Sequence, residues 1–251
     1  MPLSVLSKNQ NRDESRSPSS KSIFLTPLVS EPQKLIRWLF RFSGILVIAH
    51  LINVAMGFPI WQLERLFGLE LESNIPTWFS SVLWLIASVA AYQCFQISEV
   101  KRNKTAWSII ALGFLALSID EVAEIHESLF SIAAKHILPS VMEHNLGEMF
   151  KATSWPVLAA PFLIVIVVWL FLTLKRLLIG SPRAAWLLAL GFSVSIFAGF
   201  GLETITNFLN HTSLQWVWEI EAVFEEWFEM IGPILIIAGL IKHCRFLAGE
   251  Q

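Results

Sequence analysis

The sequence predicts an all-α membrane protein, a polytopic bundle of about six transmembrane helices. Of its 251 residues, 55% are hydrophobic and only 15% are charged, whereas an average soluble domain is roughly 25% charged. The apolar residues gather into runs of about 20, the length that crosses a hydrocarbon core of roughly 30 Å. Lysine and arginine concentrate in every second connection between these runs. These three observations exclude a soluble fold, which would need several fully buried helices and almost no surface.

The N-terminal segment, residues 1–36, is polar and rich in serine. Its low hydrophobicity predicts a disordered cytoplasmic tail. It lacks the continuous apolar stretch and the small-residue cleavage site of a signal peptide, so the first span is expected to act as an uncleaved anchor. The remaining part, residues 37–245, is predicted to form one six-helix transmembrane domain.

Hydropathy predicts spans over residues 40–58, 78–98, 105–127, 155–174, 184–208 and 215–242. Tryptophans lie near several of their ends, as expected for rings anchored at the membrane interface. Two connections, 59–76 and 128–152, mix apolar and polar positions, which is typical of short amphipathic segments on the membrane surface. Such segments would either cover a site beneath them or simply pack at the interface.

The charge of the connections predicts the orientation of the chain. The basic residues lie in the N-terminal tail, the second and fourth connections and the C-terminus, and the other three connections are acidic or nearly neutral. Under the positive-inside rule, this alternation places both termini in the cytoplasm. The net charge of −2 provides no basic field for nucleic acid, so the lipid bilayer is the expected partner.

Ionisable residues inside predicted spans are the strongest functional signal, because such residues are costly in lipid and usually functional. Residues three or four apart share one helical face, and this spacing groups the acids of the third and sixth spans into stripes. The candidate ligands are, on the third span, Asp120, Glu124, His126 and Glu127; on the fifth, Glu203 and His211; and on the sixth, Glu221, Glu225 and Glu229.

These acids are predicted to meet in one shallow layer below the outer membrane surface. With a rise of about 1.5 Å per residue, Glu225 lies about 4 Å below the outer boundary and Asp120 about 8 Å below it. A charged group near mid-bilayer costs about 2.5–3.5 kcal/mol, and neighbouring carboxylates repel each other. A bound metal, shared protons or a water-filled cavity would relieve this cost. Alternatively, residues 215–229 form a surface helix, which leaves a span too short for the bilayer.

The chemistry of these side chains leaves several functions open. Carboxylates suit Mg²⁺, Ca²⁺ or Mn²⁺, and a mixture with imidazole suits iron, manganese or zinc. No Glu-x-x-His, Gly-x-Ser-x-Gly or His-Glu-x-x-His motif occurs. The leading hypothesis is an outward-facing carboxylate and histidine pocket that binds a divalent metal or other cation, for catalysis or structure. The alternatives are a proton- or cation-coupled transporter and a non-catalytic membrane scaffold or sensor. Cys94 and Cys244 are interpreted as ordinary helix-end residues.

Two stretches of the chain carry a family resemblance. One contains Asp120, Glu121, His126 and Glu127, and the other runs from Glu225 to Gly232. They resemble uncharacterised bacterial polytopic membrane proteins that pair an Asp-Glu-x4-His-Glu helix end with a later Glu-Glu-x2-Glu-Met-x-Gly helix. The resemblance implies that the two motifs act together and that the protein lies in a bacterial plasma (inner) membrane.

Overall fold

The computed structural model describes residues 31–57, 60–69, 71–126, 128–129, 132, 154–202 and 215–249, with the backbone alone for 154–158 and 215–222. All regular structure in this part of the chain is helical. In chain order the helices are α1 (Pro32–Ala55), α2 (Trp61–Phe67), α3 (Ile75–Ile97), α4 (Lys101–Ala123), α5 (Ser154–Leu177), α6 (Pro182–Ile196), a π-helical segment (Phe197–Leu202) and α7 (Gln215–Leu247).

The predicted membrane architecture is confirmed. Six of the described helices are long and apolar enough to cross a bilayer, and the short α2 lies in the connection that was predicted to be amphipathic. The third predicted span has the right length but is displaced by four residues, because α4 runs from Lys101 to Ala123 and Glu124 adopts a left-handed conformation with a φ of 48°. A left-handed residue commonly ends a helix. The fifth span changes from α-helix to π-helix at Phe197.

Helix α7 is the centre of the bundle and packs against α1, α3 and α6. Its side chains from Met230 through Ile234, Ile237 and Leu240 are completely buried, and their spacing of three or four residues forms a continuous stripe. In contrast, α5 presents Phe162, 69% exposed, to its surroundings. Such exposure of a large apolar side chain is expected where a helix faces lipid.

Small residues bring α6 and α7 into close contact. A Cβ atom added to Gly191 would lie 2.8 Å from the carbonyl oxygen of Gly232 and 2.9 Å from the backbone nitrogen of Ile236. Close approach at glycine is a common way of packing membrane helices, because lipid provides no hydrophobic force between them.

Serine hydroxyls join α3 to α4. The Ser81 hydroxyl donates to the carbonyl of Ser118 at 2.7 Å, and the Ser118 hydroxyl donates back to the carbonyl of Ser81 at 2.8 Å. About two helical turns further along α3, Ser88 donates to the carbonyl of Ala111 at 2.7 Å. These bonds set the register of the two helices.

We expect Ser118→Ala to lower the free energy of unfolding by about 0.6–1.7 kcal/mol, which are the average and the largest values measured for hydrogen bonds between membrane helices. Denaturant titration in micelles, followed by helical circular dichroism, measures the change. Thr105→Ala is the control, because Thr105 donates to Lys101 of its own helix. An equal loss in both variants would contradict a specific role for the serine pair.

The two ends of the bundle differ in charge. The end at which α3 and α7 begin and α4 finishes, which we call the acidic end, carries Glu72, Glu121 and Glu226. The opposite end, the basic end, carries the lysines and arginines at the start of α1 and α4 and at the end of α7. Acids therefore predominate at one end and bases at the other, with Arg65 of α2 and Glu99 as exceptions, as the alternation of the connections predicts.

Candidate cation site at the acidic end

Glu226 occupies an inward position on α7. It precedes the fully buried Met230 by four residues, so it continues the stripe that faces the centre of the bundle. Its side chain is only partly exposed. The sequence pattern had favoured the neighbouring stripe of Glu225 and Glu229, whereas the buried stripe of α7 places Glu226 on the inward side of the helix.

Glu121 occupies the equivalent position on α4. The buried residues Ile110, Phe114 and Ser118 follow one another at intervals of four along this helix, and Glu121 extends the same face toward the acidic end. Its carboxylate lies close to the Ser80 side chain of α3. A serine donor is a suitable partner for a carboxylate that lies between two helices.

The carboxylates of α4 and α7 lie close enough to interact. Glu226 is within electrostatic range of Glu72, Glu121, Glu225 and Glu229, and each of these neighbours is a like charge. Glu121 is in turn within range of Glu72 and Asp120. We call Glu72, Glu121, Glu225, Glu226 and Glu229 the acidic cluster. It draws on two transmembrane helices and on the connection before α3.

The connection before α3 places Glu72 at the acidic end of the bundle. Asn74 caps α3 by accepting a hydrogen bond from the backbone N–H of Thr77 at 3.1 Å, and the Thr77 hydroxyl donates to Glu72 Oε2 at 3.3 Å. Nearby, the backbone N–H of Leu69 donates to Nδ1 of the buried His50 at 3.3 Å, which holds the connection on α1. The start of a helix favours a negative charge, so the dipole of α3 stabilises Glu72 there.

Glu229 faces the π-helical segment that follows α6. A Cβ atom added to Gly199 would lie 3.3 Å from Glu229 Oε1, so glycine leaves room for this carboxylate beside the backbone. π-Helical turns are rare and often occur at functional sites. The π-helical segment is therefore a further element that borders the acidic cluster, beside α4 and α7.

Asp120 and His126 form a pair at the rim of the acidic end. Asp120 Oδ2 lies 2.7 Å from His126 Nδ1, and Asp120 Oδ1 accepts the backbone N–H of His126 at 2.9 Å. Their side chains are 23% and 37% exposed. The left-handed Glu124 interrupts the helix between the two residues, so the pair joins residues on either side of the end of α4.

The structure therefore places the predicted ligands in different parts of the acidic end. Glu225 and Glu229 belong to the acidic cluster, and Asp120 and His126 pair at its rim. Glu124 lies in the turn after α4, so the predicted helical stripe on the third span does not continue past Ala123. Glu127, Glu203, His211 and the side chain of Glu221 lie outside the described residues. Within the described part of the chain, no three histidine, cysteine, aspartate or glutamate side chains converge as a ready-made set of metal ligands.

Sequence reasoning passed over Glu72, Glu121 and Glu226 as site residues. For Glu121 and Glu226 a usable signal was present, because each extends the apolar, inward-facing positions of its helix by one more turn. Glu72 had no such signal, since its position depends on the cap of α3.

These features define a polytopic, all-α membrane protein with an acidic cluster between its helices at one end. The chain belongs to the family described as a domain of unknown function, DUF8692, whose model matches residues 39–244. Among curated proteins and among solved structures, none matches the chain.

Proposed function

We propose that the protein binds a cation in the acidic cluster, with Glu226 and Glu121 at its centre. The observation that carries this proposal is the set of carboxylates around Glu226: in the described part of the chain, the charged side chains that interact with it are Glu72, Glu121, Glu225 and Glu229. Like charges held together in a region of low dielectric repel strongly, and a bound cation converts this repulsion into attraction.

A hydrated divalent ion fits the arrangement best. The described acids do not converge into a ligand set of three, and Mg²⁺ usually keeps several water molecules while one or two carboxylates bind it directly. Glu203, His211 and Glu127 remain candidates for further ligands, together with Glu221. The proposed ion enters from the acidic end. The positive-inside rule assigns both termini to the cytoplasm of a bacterial cell, so the acidic end lies on the opposite side of the membrane.

The Asp120–His126 pair supports a role at the entrance. Metal-binding histidines usually donate one ring N–H to a carboxylate, which fixes the tautomer and orients the other nitrogen. The 2.7 Å contact between Asp120 and His126 Nδ1 is of this kind. We therefore assign His126 as a candidate ligand at the rim of the acidic end. A catalytic role for the bound ion would require the substrate to reach this rim.

Binding is favoured over transport by the packing of α7. Below Glu226 the side chains of Met230, Ile234 and Ile237 are fully buried. A well-packed stripe of this kind favours a site that is open toward one end of the bundle over a continuous path for ions.

The proposal is tested by removing and restoring the ion. Protein purified in micelles and treated with a chelator should unfold at a lower temperature, and adding Mg²⁺, Ca²⁺ or Mn²⁺ should raise the unfolding temperature in a saturable manner. Glu121→Gln should weaken binding of the effective ion at least tenfold, which corresponds to about 1.4 kcal/mol.

Glu99→Gln is the matched control, because Glu99 is an exposed glutamate at the basic end. It should bind the ion as the wild type does. The proposal is wrong if none of the three ions binds or changes the unfolding temperature, or if Glu121→Gln and Glu99→Gln have equal effects.

A further inference from the structure

The only two cysteines of the chain come from helices far apart in sequence and meet in the bundle. Cys94 lies on α3 and is 0% exposed, and Cys244 lies on α7 and is 2% exposed. Both lie about one helical turn from the end of their helix at the basic end.

Reciprocal contacts place the two thiols opposite each other. Cys94 Sγ donates to the carbonyl of Leu240 at 3.9 Å, and Cys244 Sγ donates to the carbonyl of Ala90 at 3.4 Å. Leu240 lies one helical turn before Cys244, and Ala90 lies one helical turn before Cys94. Each thiol therefore contacts the helical turn that precedes the other cysteine. The two side chains are close enough to interact with each other.

The surrounding residues allow the backbones to approach closely. Ala87, Ala90 and Ala91 on α3 are completely buried, and small side chains shorten the distance between membrane helices. A disulfide requires Cα atoms roughly 4.4–6.8 Å apart, so only closely packed helices can form one without moving.

A surface cavity borders the end of α3, about one helical turn beyond Cys94. A cavity of about 450 Å³ is lined by Gln96, Ile97, Ser98, Glu99 and Lys104 at the end of α3. Ser98 is also hydrogen-bonded to the carbonyl of Cys94 at 2.7 Å. A small oxidant in this cavity is therefore close to the cysteine turn, although burial of the thiols makes a slow reaction the expectation.

We propose that Cys94 and Cys244 are a modification site: a dithiol that a peroxide-class oxidant converts into a reversible disulfide between α3 and α7. One thiolate attacks a peroxide oxygen, which forms a sulfenic acid and releases hydroxide. The second thiolate then attacks the sulfenic sulfur, the S–S bond forms, and hydroxide leaves. Two thiols and one hydrogen peroxide thus give one disulfide and two waters, and the disulfide joins α3 to α7 covalently.

The test uses the wild-type protein in micelles, treated with hydrogen peroxide, then denatured and alkylated with N-ethylmaleimide. We expect the intact mass to fall by two hydrogen atoms, with no alkylation, and dithiothreitol to restore two alkylated cysteines. The proposal is overturned if both thiols stay reactive, if the main products carry added oxygen, or if the disulfide joins two chains.

A variant with Cys94→Ala and Gln96→Cys is the matched control. It keeps two cysteines but moves one to the face on which Gln96 donates to the Tyr92 hydroxyl at 2.6 Å, away from Cys244. This variant should form no intramolecular disulfide under the same treatment. Equal disulfide yields in the two proteins would show that the facing geometry does not direct the reaction, and would overturn the proposal.

Discussion

Glu226→Gln should stabilise the ion-free protein and remove its response to the cation. Glu226 lies among four other carboxylates, so an amide in its place relieves repulsion when no ion is present. A charged group in the bilayer costs up to about 2.5–3.5 kcal/mol, and we expect a gain of about 1–2 kcal/mol. The unfolding temperature of the ion-free protein should then rise by several degrees, since 1 kcal/mol corresponds to roughly 2–4 °C for a chain of this length.

The measurement compares thermal unfolding with and without a saturating concentration of the effective divalent ion. In the wild type the ion raises the unfolding temperature, whereas in Glu226→Gln the two curves should coincide. Glu99→Gln should retain the wild-type shift. If Glu226→Gln destabilises the ion-free protein and keeps the full ion response, then Glu226 is a structural residue and the cluster does not bind the ion through it.

The second large effect is expected at the contact between α6 and α7. Gly191→Ala should lower the free energy of unfolding by about 1–3 kcal/mol, the usual cost of overpacking a close contact. The added Cβ would meet the backbone carbonyl of Gly232 at 2.8 Å and the backbone nitrogen of Ile236 at 2.9 Å. Backbone atoms cannot rotate away as a side chain can, so the two helices must separate.

Gly113→Ala provides the comparison. Gly113 lies on the exposed face of α4, and a Cβ atom there would meet nothing within 4 Å. Because alanine is a better helix former than glycine, this variant should be as stable as the wild type or more so. Denaturant titration of both proteins in the same micelles measures the difference. Equal stabilities would mean that α6 and α7 do not pack at Gly191 as described.

Much of the membrane architecture was predictable because hydropathy is a local property. A bilayer requires about 20 apolar residues in succession, and the six predicted spans correspond to the six long apolar helices. The boundaries were less predictable, because helix ends depend on single residues. The left-handed Glu124 ends α4 at Ala123, although the acids and apolar residues that follow continue a helical pattern.

The candidate site was predicted only in part, for a similar reason. Spacing along one helix shows which residues share a face, but it does not show which face meets a neighbour. Glu225 and Glu229 were chosen because their stripe contained three acids. In the structure, Glu226 also lies among the acids of the cluster, and Glu121 lies close to Ser80 across the α3–α4 contact.

The sequence by itself thus determined that this protein crosses a membrane in six helices, with acids gathered at one end, because the thickness of lipid acts on each segment separately. Tertiary structure alone decided which carboxylates share a space and that Cys94 and Cys244 face each other. Those outcomes depend on the rotation and register of α7 against α3, which arise from contacts between residues distant in sequence.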